Sequence, residues 1–144
     1  EAITPPINAT DEAGRFIQQA SEHFFYHEFD QAIENYKMAL HHNKYSEETY
    51  INLSTAYLNK KKFKLSLKAL NTLEKINPKH PLLHYNYSCY YSLLGDIPKG
   101  IQSLKRAISY GFKNHQTLKA DTDIDNLRQS PKFKELQDLL LARK

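Results

Sequence analysis

Apolar residues recur three and four positions apart along most of the chain. In residues 29–40 they fall at Phe29, Ala32, Ile33, Tyr36, Ala39 and Leu40, one face of an amphipathic helix. The same frame returns at 63–74 and at 97–108, 34 residues further on each time. Rows beginning at Ala13, Glu47 and Pro81 each hold two helical stretches, at 12–25 and 30–42, 47–60 and 64–76, and 81–94 and 98–110. Ser46 before Glu47 and Glu48 reads as an N-cap followed by acids that favour the positive helix end. Asp96 reads as the cap of a helix with Pro98 in its first turn, Pro78 ends the fourth stretch and Gly111 follows the sixth.

The columns of these rows explain why each needs a neighbour. Small residues recur at Ala20, Ser54 and Ser88 and at Ala32, Ser66 and Gly100; large ones recur at Phe29, Phe63 and Ile97 and at Tyr36, Leu70 and Leu104. Small positions let two antiparallel helices approach, and large ones fill the gap to the next pair. One hairpin cannot bury such a face, whereas stacked hairpins can. The stretches "FDQAIENYKMAL" and "YYSLLGDIPKGIQSLKRAI", with Pro78 as a closing proline, resemble the tetratricopeptide repeat family, whose period is about 34 residues. The early Trp of the family is replaced by Phe16, Tyr50 and His84, and its first-helix Gly by Ala20, Ser54 and Ser88. The resemblance implies an all-α, right-handed solenoid of three helix-turn-helix units at 13–46, 47–80 and 81–114. The tail, "LKADTDIDNLRQSPKFKELQDLL", resembles the closing segment of many bacterial repeat proteins. It reads as a helical cap over 115–144, in which Ser130-Pro131 starts a helix and Phe133, Leu136, Leu139 and Leu140 form an apolar stripe.

Composition narrows the class. The chain has 144 residues, 40% hydrophobic and 25% charged, with 4 Gly and 1 Cys. One Cys excludes an internal disulfide and a Cys-based zinc site. "EAITPPINAT" carries no helical period, so residues 1–10 read as a linker and 11–144 as a single domain. Starting at Glu1, the chain reads as a trimmed, mature or excised piece. Its Lys-, Asn- and Tyr-rich composition suggests a bacterial source. An envelope protein held at the membrane through an absent N-terminus is favoured slightly over a cytoplasmic one. Residues 1–56 hold nine Asp/Glu and three Lys/Arg, a net of −6; residues 57–144 hold seven and seventeen, a net of +10. That asymmetry can steer an encounter with a partner.

The resemblance further implies a concave groove lined by the first helix of each unit. Its columns would be Ile17, Ile51 and Tyr85; Gln18, Asn52 and Asn86; and Ser21, Thr55 and Cys89, with Phe24 further round. Three carboxamides in a ladder can pair with the backbone of an extended peptide, with Ile51, Tyr85 and Phe24 supplying apolar pockets. Members that grip acidic chaperone tails use a two-carboxylate clamp of Lys, Asn, Asn, Lys and Arg. The matching positions here are Ile17, Ser21, Asn52, Leu82 and Asn86, and only Asn52 agrees, so a neutral or apolar segment is expected. The expected function is a non-catalytic protein–protein interaction module with a protein partner and no cofactor. The alternative is a structural module that self-associates, for instance as a homodimer, through the repeat-one face with Phe16, Phe24 and Phe25.

Other chemistry is thinly supported. "KKKFK" at 60–64 lacks the broad basic face and stacking aromatics of a nucleic-acid surface and reads as a solvated turn. His23 and His27 are four apart but lack a third ligand, and the pair His41 and His42 suits a helix C-terminus. Asp121, Asp123 and Asp125 alternate as in a calcium loop but lack its Gly and closing Glu, so capping accounts for them better. No membrane insertion is expected, as no apolar run approaches about 20 residues.

Overall fold

A computed structural model describes the backbone over residues 7–143 and side chains from residue 12. Among the described residues there are helices and turns and no strand. The helices are α1 (Ile7–Phe25), α2 (Phe29–His42), α3 (Glu47–Asn59), α4 (Phe63–Ile76), α5 (Pro81–Leu93), α6 (Ile97–Ser109), α7 (His115–Ala120) and α8 (Pro131–Ala142), with a 3₁₀ helix over Thr122–Gln129 before α8. Each agrees with its expected stretch to within about two residues, except that α1 begins at Ile7 rather than 12. Four residues of the expected linker are therefore helical; the rest of it lies outside the described residues.

The chain groups into two compact units, Glu1–Ile76 and Asn77–Lys144. The first holds the hairpins α1–α2 and α3–α4. Its core joins Ala20 of α1 to Ala32, Ile33 and Tyr36 of α2 and to Leu53, Ala56 and Tyr57 of α3, with Phe24, Phe29 and Leu40 packed against it. Leu70 and Leu73 of α4 are also fully buried. The second unit holds the hairpin α5–α6 and the cap. There Leu83, Leu104, Ile108, Leu118, Ile124 and Leu127 are all fully buried.

The repeat is written into the backbone as well as the side chains. All three hairpin turns close in the same way. The amides of Glu28, Lys62 and Asp96 donate to the carbonyls of His23, Tyr57 and Tyr91, at 2.8, 2.8 and 2.9 Å. The residue before each, His27, Lys61 or Gly95, sits in the left-handed region at φ 62°, 57° or 79°. This is the bonding of a Schellman helix end, which favours glycine because a Cβ there crowds the backbone. Repeats one and two place His and Lys at the glycine position. Lys61→Gly is expected to raise stability by up to about 1 kcal/mol, and Gly95→Ala to lower it by about as much. Nothing lies within 4 Å of a Cβ added at Gly95, so the loss there would be conformational. Urea unfolding of both variants checks the opposite signs.

Two of the family's Trp positions are filled in an equivalent manner. The Tyr50 hydroxyl donates to the Lys44 carbonyl at 2.8 Å, and His84 Nε2 to the Pro78 carbonyl at 2.7 Å, each six residues back. The carbonyl only accepts, so His84 carries its proton on Nε2. Phe16 has no such polar tip and stacks on His42, centroids 5.5 Å apart. The small column is also consistent: Ser54 and Ser88 are fully buried and bond back to the carbonyls of Ile51 and Tyr85. The Ser66 hydroxyl ties α4 to α3 by donating to the Ser54 carbonyl at 3.0 Å.

The expected caps hold with one change. Asp96 accepts from the Lys99 amide at 3.3 Å and Ser130 from the Lys132 amide at 3.3 Å. Ser46 stands at the N-cap position, but its hydroxyl pairs with the Thr49 hydroxyl at 2.7 Å instead of a backbone amide. Thr49 is fully buried, so its own need for a partner decides the contact.

Candidate functional site

In the first unit, the expected groove positions sit at graded depth. Gln18 and Ser21 are exposed, Ile17, Asn52 and Thr55 are half-buried, and Ile51 is buried. The Thr55 hydroxyl bonds its own helix at the Ile51 carbonyl, 3.1 Å away. Phe24 packs against the core, edge-on to Phe29 at 5.3 Å between centroids, so its ring lines the core more than any open pocket. Gln18 thus stands out to solvent and Asn52 at the edge of cover. Both sit on helices whose opposite faces, at Ala20 and at Tyr57, are locked into the core. Packing on one side makes the other side of a helix a rigid platform.

In the second unit, Tyr85, Asn86 and Cys89 are all buried. The sequence reading leaves Tyr85 and Cys89 open to a partner, but the structure turns both to the cap. The Tyr85 hydroxyl donates to Asp121 Oδ2 at 2.6 Å, and the Cys89 thiol lies 3.9 Å from the same oxygen. The Tyr85 ring stacks on Phe112 at 4.6 Å and 9°. Asp121 also accepts the Asp123 amide at 2.9 Å and so starts the 3₁₀ helix, as capping predicts. Asn126 Nδ2 adds a bond to the Ser92 carbonyl at 2.8 Å. No signal in the sequence links Asp121 to Tyr85, 36 positions earlier.

Burial pushes the Tyr85 phenol far above its ordinary value, and the nearby Cys89 and Asp121 add to the effect. Burial does the same to the Cys89 thiol, helped by the charges of Asp121 and Asp123. Both groups therefore stay protonated and act as donors. Among the described residues, Cys89, Asp121 and Asp123 form a group whose ligand atoms lie within 4.8 Å of one another. Within this group the Asp121 carboxylate already accepts from the Tyr85 hydroxyl and the Asp123 amide. The residues fit a hydrogen-bonded cluster better than a metal centre.

The remaining candidates are also accounted for. His23 Nδ1 lies 3.2 Å from Glu28 Oε1, while His27 occupies the left-handed turn position with its ring edge-on to Phe29. In the "KKKFK" run, Lys60 reaches Asp30 at 3.4 Å, Lys61 makes the turn, and Phe63 is half-buried. No helix among the described residues is long and apolar enough to cross a membrane.

Comparison with known proteins agrees with this architecture. No known family profile matches the chain. A chloroplast protein of Arabidopsis thaliana is 33% identical over 52 residues, 36% of this chain and 16% of that protein. The chain therefore spans about one-sixth of the length of the curated relative it matches. Among solved structures, the tetratricopeptide repeat domain of Arabidopsis OM64 superimposes with a TM-score of 0.69 at 12% identity, covering 94% of this chain and 99% of that one. The Yersinia enterocolitica type III secretion chaperone SycD, in complex with a peptide of the translocator YopD, gives 0.70 at 9%, covering 96% and 98%. The first such domain of Spaghetti (RPAP3), bound to an HSP90 peptide, gives 0.68 at 14%, covering 92% and 95%. At these identities the likeness speaks for the fold, and with the three recurring turns and the helical tail it leads to one conclusion: this chain has the tetratricopeptide repeat fold, three helix-turn-helix repeats followed by a helical cap.

Proposed function

We propose that the chain is a non-catalytic protein-interaction module that receives an extended peptide or helix of a partner on the platform carrying Gln18 and Asn52. The observation that carries this reading is the exposed carboxamide of Gln18 and the half-buried one of Asn52, on helices whose far sides are fixed in the core. A carboxamide offers a donor and an acceptor to peptide backbone without selecting a charge. Ile17 and Ile51 supply apolar surface beside it, and Ser21 and Thr55 small polar surface. Asn86 stands one period further on in the second unit, where it is buried, so the proposal rests on the first two amides. Three neighbours are complexes with peptides or partner segments, of HSP90, of Hsp70 and of the translocator YopD, which makes partner binding the natural use of this fold.

The test is Gln18→Ala with Asn52→Ala. With helicity and unfolding midpoint unchanged, the pair is expected to weaken binding of the partner captured by the full-length protein from its own cells by about tenfold or more, two lost hydrogen-bonding groups. Unchanged binding would remove the platform from consideration. A second reading, self-association through the repeat-one end, is favoured by Phe25 and Tyr26, which are 75% and 70% exposed and meet edge-on at 5.2 Å. A doubled mass in solution that reverts on Phe25→Ser would select it.

A further inference from the structure

The second unit carries a cleft that the amide platform does not use. It lies between α6 and α8 and has a volume of about 660 Å³. Its floor is Ile101 and Leu136, both buried, with Pro98 and the 42%-exposed Leu139 at the margin. Around it stand Lys99, Lys105 and Lys132 against the single carboxylate of Glu135, a net rim charge of three minus one, +2. Lys99 is partly engaged, 4.0 Å from Asp96 and 5.7 Å from the Tyr91 ring centroid. Among the described residues Lys105 and Lys132 have no ion-pair partner, and both are exposed beside the apolar floor. The whole of residues 77–144 repeats this sign, with eleven Lys/Arg against six Asp/Glu, a net of +5.

We propose that this cleft docks a short acidic segment of a partner protein, one that places leucine-like side chains on Ile101, Leu136 and Leu139 and carboxylates on Lys105 and Lys132. Pro98 to Lys105 is about two helical turns, roughly 10 Å, which sets the length of the segment. Apolar floor and unpaired cationic rim call for both features at once. A purely apolar segment leaves two ammonium groups beside a covered surface, and a purely acidic one leaves Leu139 wet. The arrangement complements the amide platform, where charge plays no part, and the two sites can be separated experimentally.

The probe is a fluorescently labelled peptide of leucine and glutamate at amphipathic helical spacing, with a glutamine-for-glutamate version as its control. Anisotropy with the whole chain is expected to show binding that weakens as salt rises. Lys105→Glu with Lys132→Glu is expected to weaken it by about tenfold or more, and Leu139→Asn to weaken it without altering the salt dependence. Lys113→Glu with Lys119→Glu makes the same change of net charge at exposed lysines outside the cleft and should alter affinity by less than about threefold. The platform variant, Gln18→Ala with Asn52→Ala, should bind the probe as the unaltered chain does. Absence of binding, equal affinity for the glutamine peptide, or equal loss in both lysine pairs would overturn the proposal. So would a doubled solution mass abolished by the cleft pair, which would assign the cleft to a second copy of the chain.

Discussion

Leu127→Ala is expected to cost the second unit about 2–5 kcal/mol, the range for emptying a fully buried leucine site. Leu127 is 0% exposed, and it belongs to the 3₁₀ helix of the cap rather than to a repeat. Its methyl groups lie where a Cβ on Gly100 would be, 2.5 Å from such an atom. The small column therefore shrinks to glycine in repeat three for a local reason. At Ala32 and Ser66 the corresponding helix has no cap leucine to admit. Gly100→Ala alone should destabilise, because about 1 kcal/mol of improved helix propensity is outweighed by overpacking of about 1–3 kcal/mol. In the Leu127→Ala background the clash is gone and the added methyl fills part of the void, so the same change should become neutral or favourable. A double-mutant cycle by urea unfolding, with amide exchange to localise the loss to α5–α8, checks the coupling. Additive effects would show that the two residues do not share the space.

Tyr85→Phe is expected to cost about 1–3 kcal/mol, the value of a bond donated to a charged acceptor in a buried setting. The ring would keep its stack on Phe112, so the change isolates the hydroxyl. Asp121 would keep the Asp123 amide and lose its 2.6 Å partner, leaving the shielded Cys89 thiol as its neighbour. The loss should be confined to the second unit and seen as faster amide exchange in the 3₁₀ helix, with helix content unchanged. A variant as stable as the parent would mean that solvent replaces the phenol without penalty. The bond also commits the Tyr85 hydroxyl to the cap.

Much of the architecture could be read before any coordinates. The step from Phe29 to Phe63 to Ile97 located the second helix of each repeat, and Asp96, Ser130 and Pro131 marked helix starts. Local chemistry of that kind survives into the fold because an N-cap or a proline acts within its own turn. The turn geometry was partly hidden. Gly95 announces a left-handed residue, whereas His27 and Lys61 hold the same conformation with side chains that do not advertise it. There the chain has no local preference strong enough to read, and the packing of the two helices imposes the turn.

Periodicity alone determined that this protein is an array of paired helices on a 34-residue step, because apolar spacing dictates which face of each helix must be covered. It also placed Gln18, Asn52 and Asn86 in one column, since equal offsets in equal repeats are equivalent. Tertiary structure decided what covers the last repeat and which of those positions remain open. The cap comes from outside the period, so its contacts carry no repeating signature. Asp121 reaches Tyr85 and Leu127 reaches Gly100 only once the chain has folded back, and that long-range closure turned two expected groove residues, Tyr85 and Cys89, into interior ones.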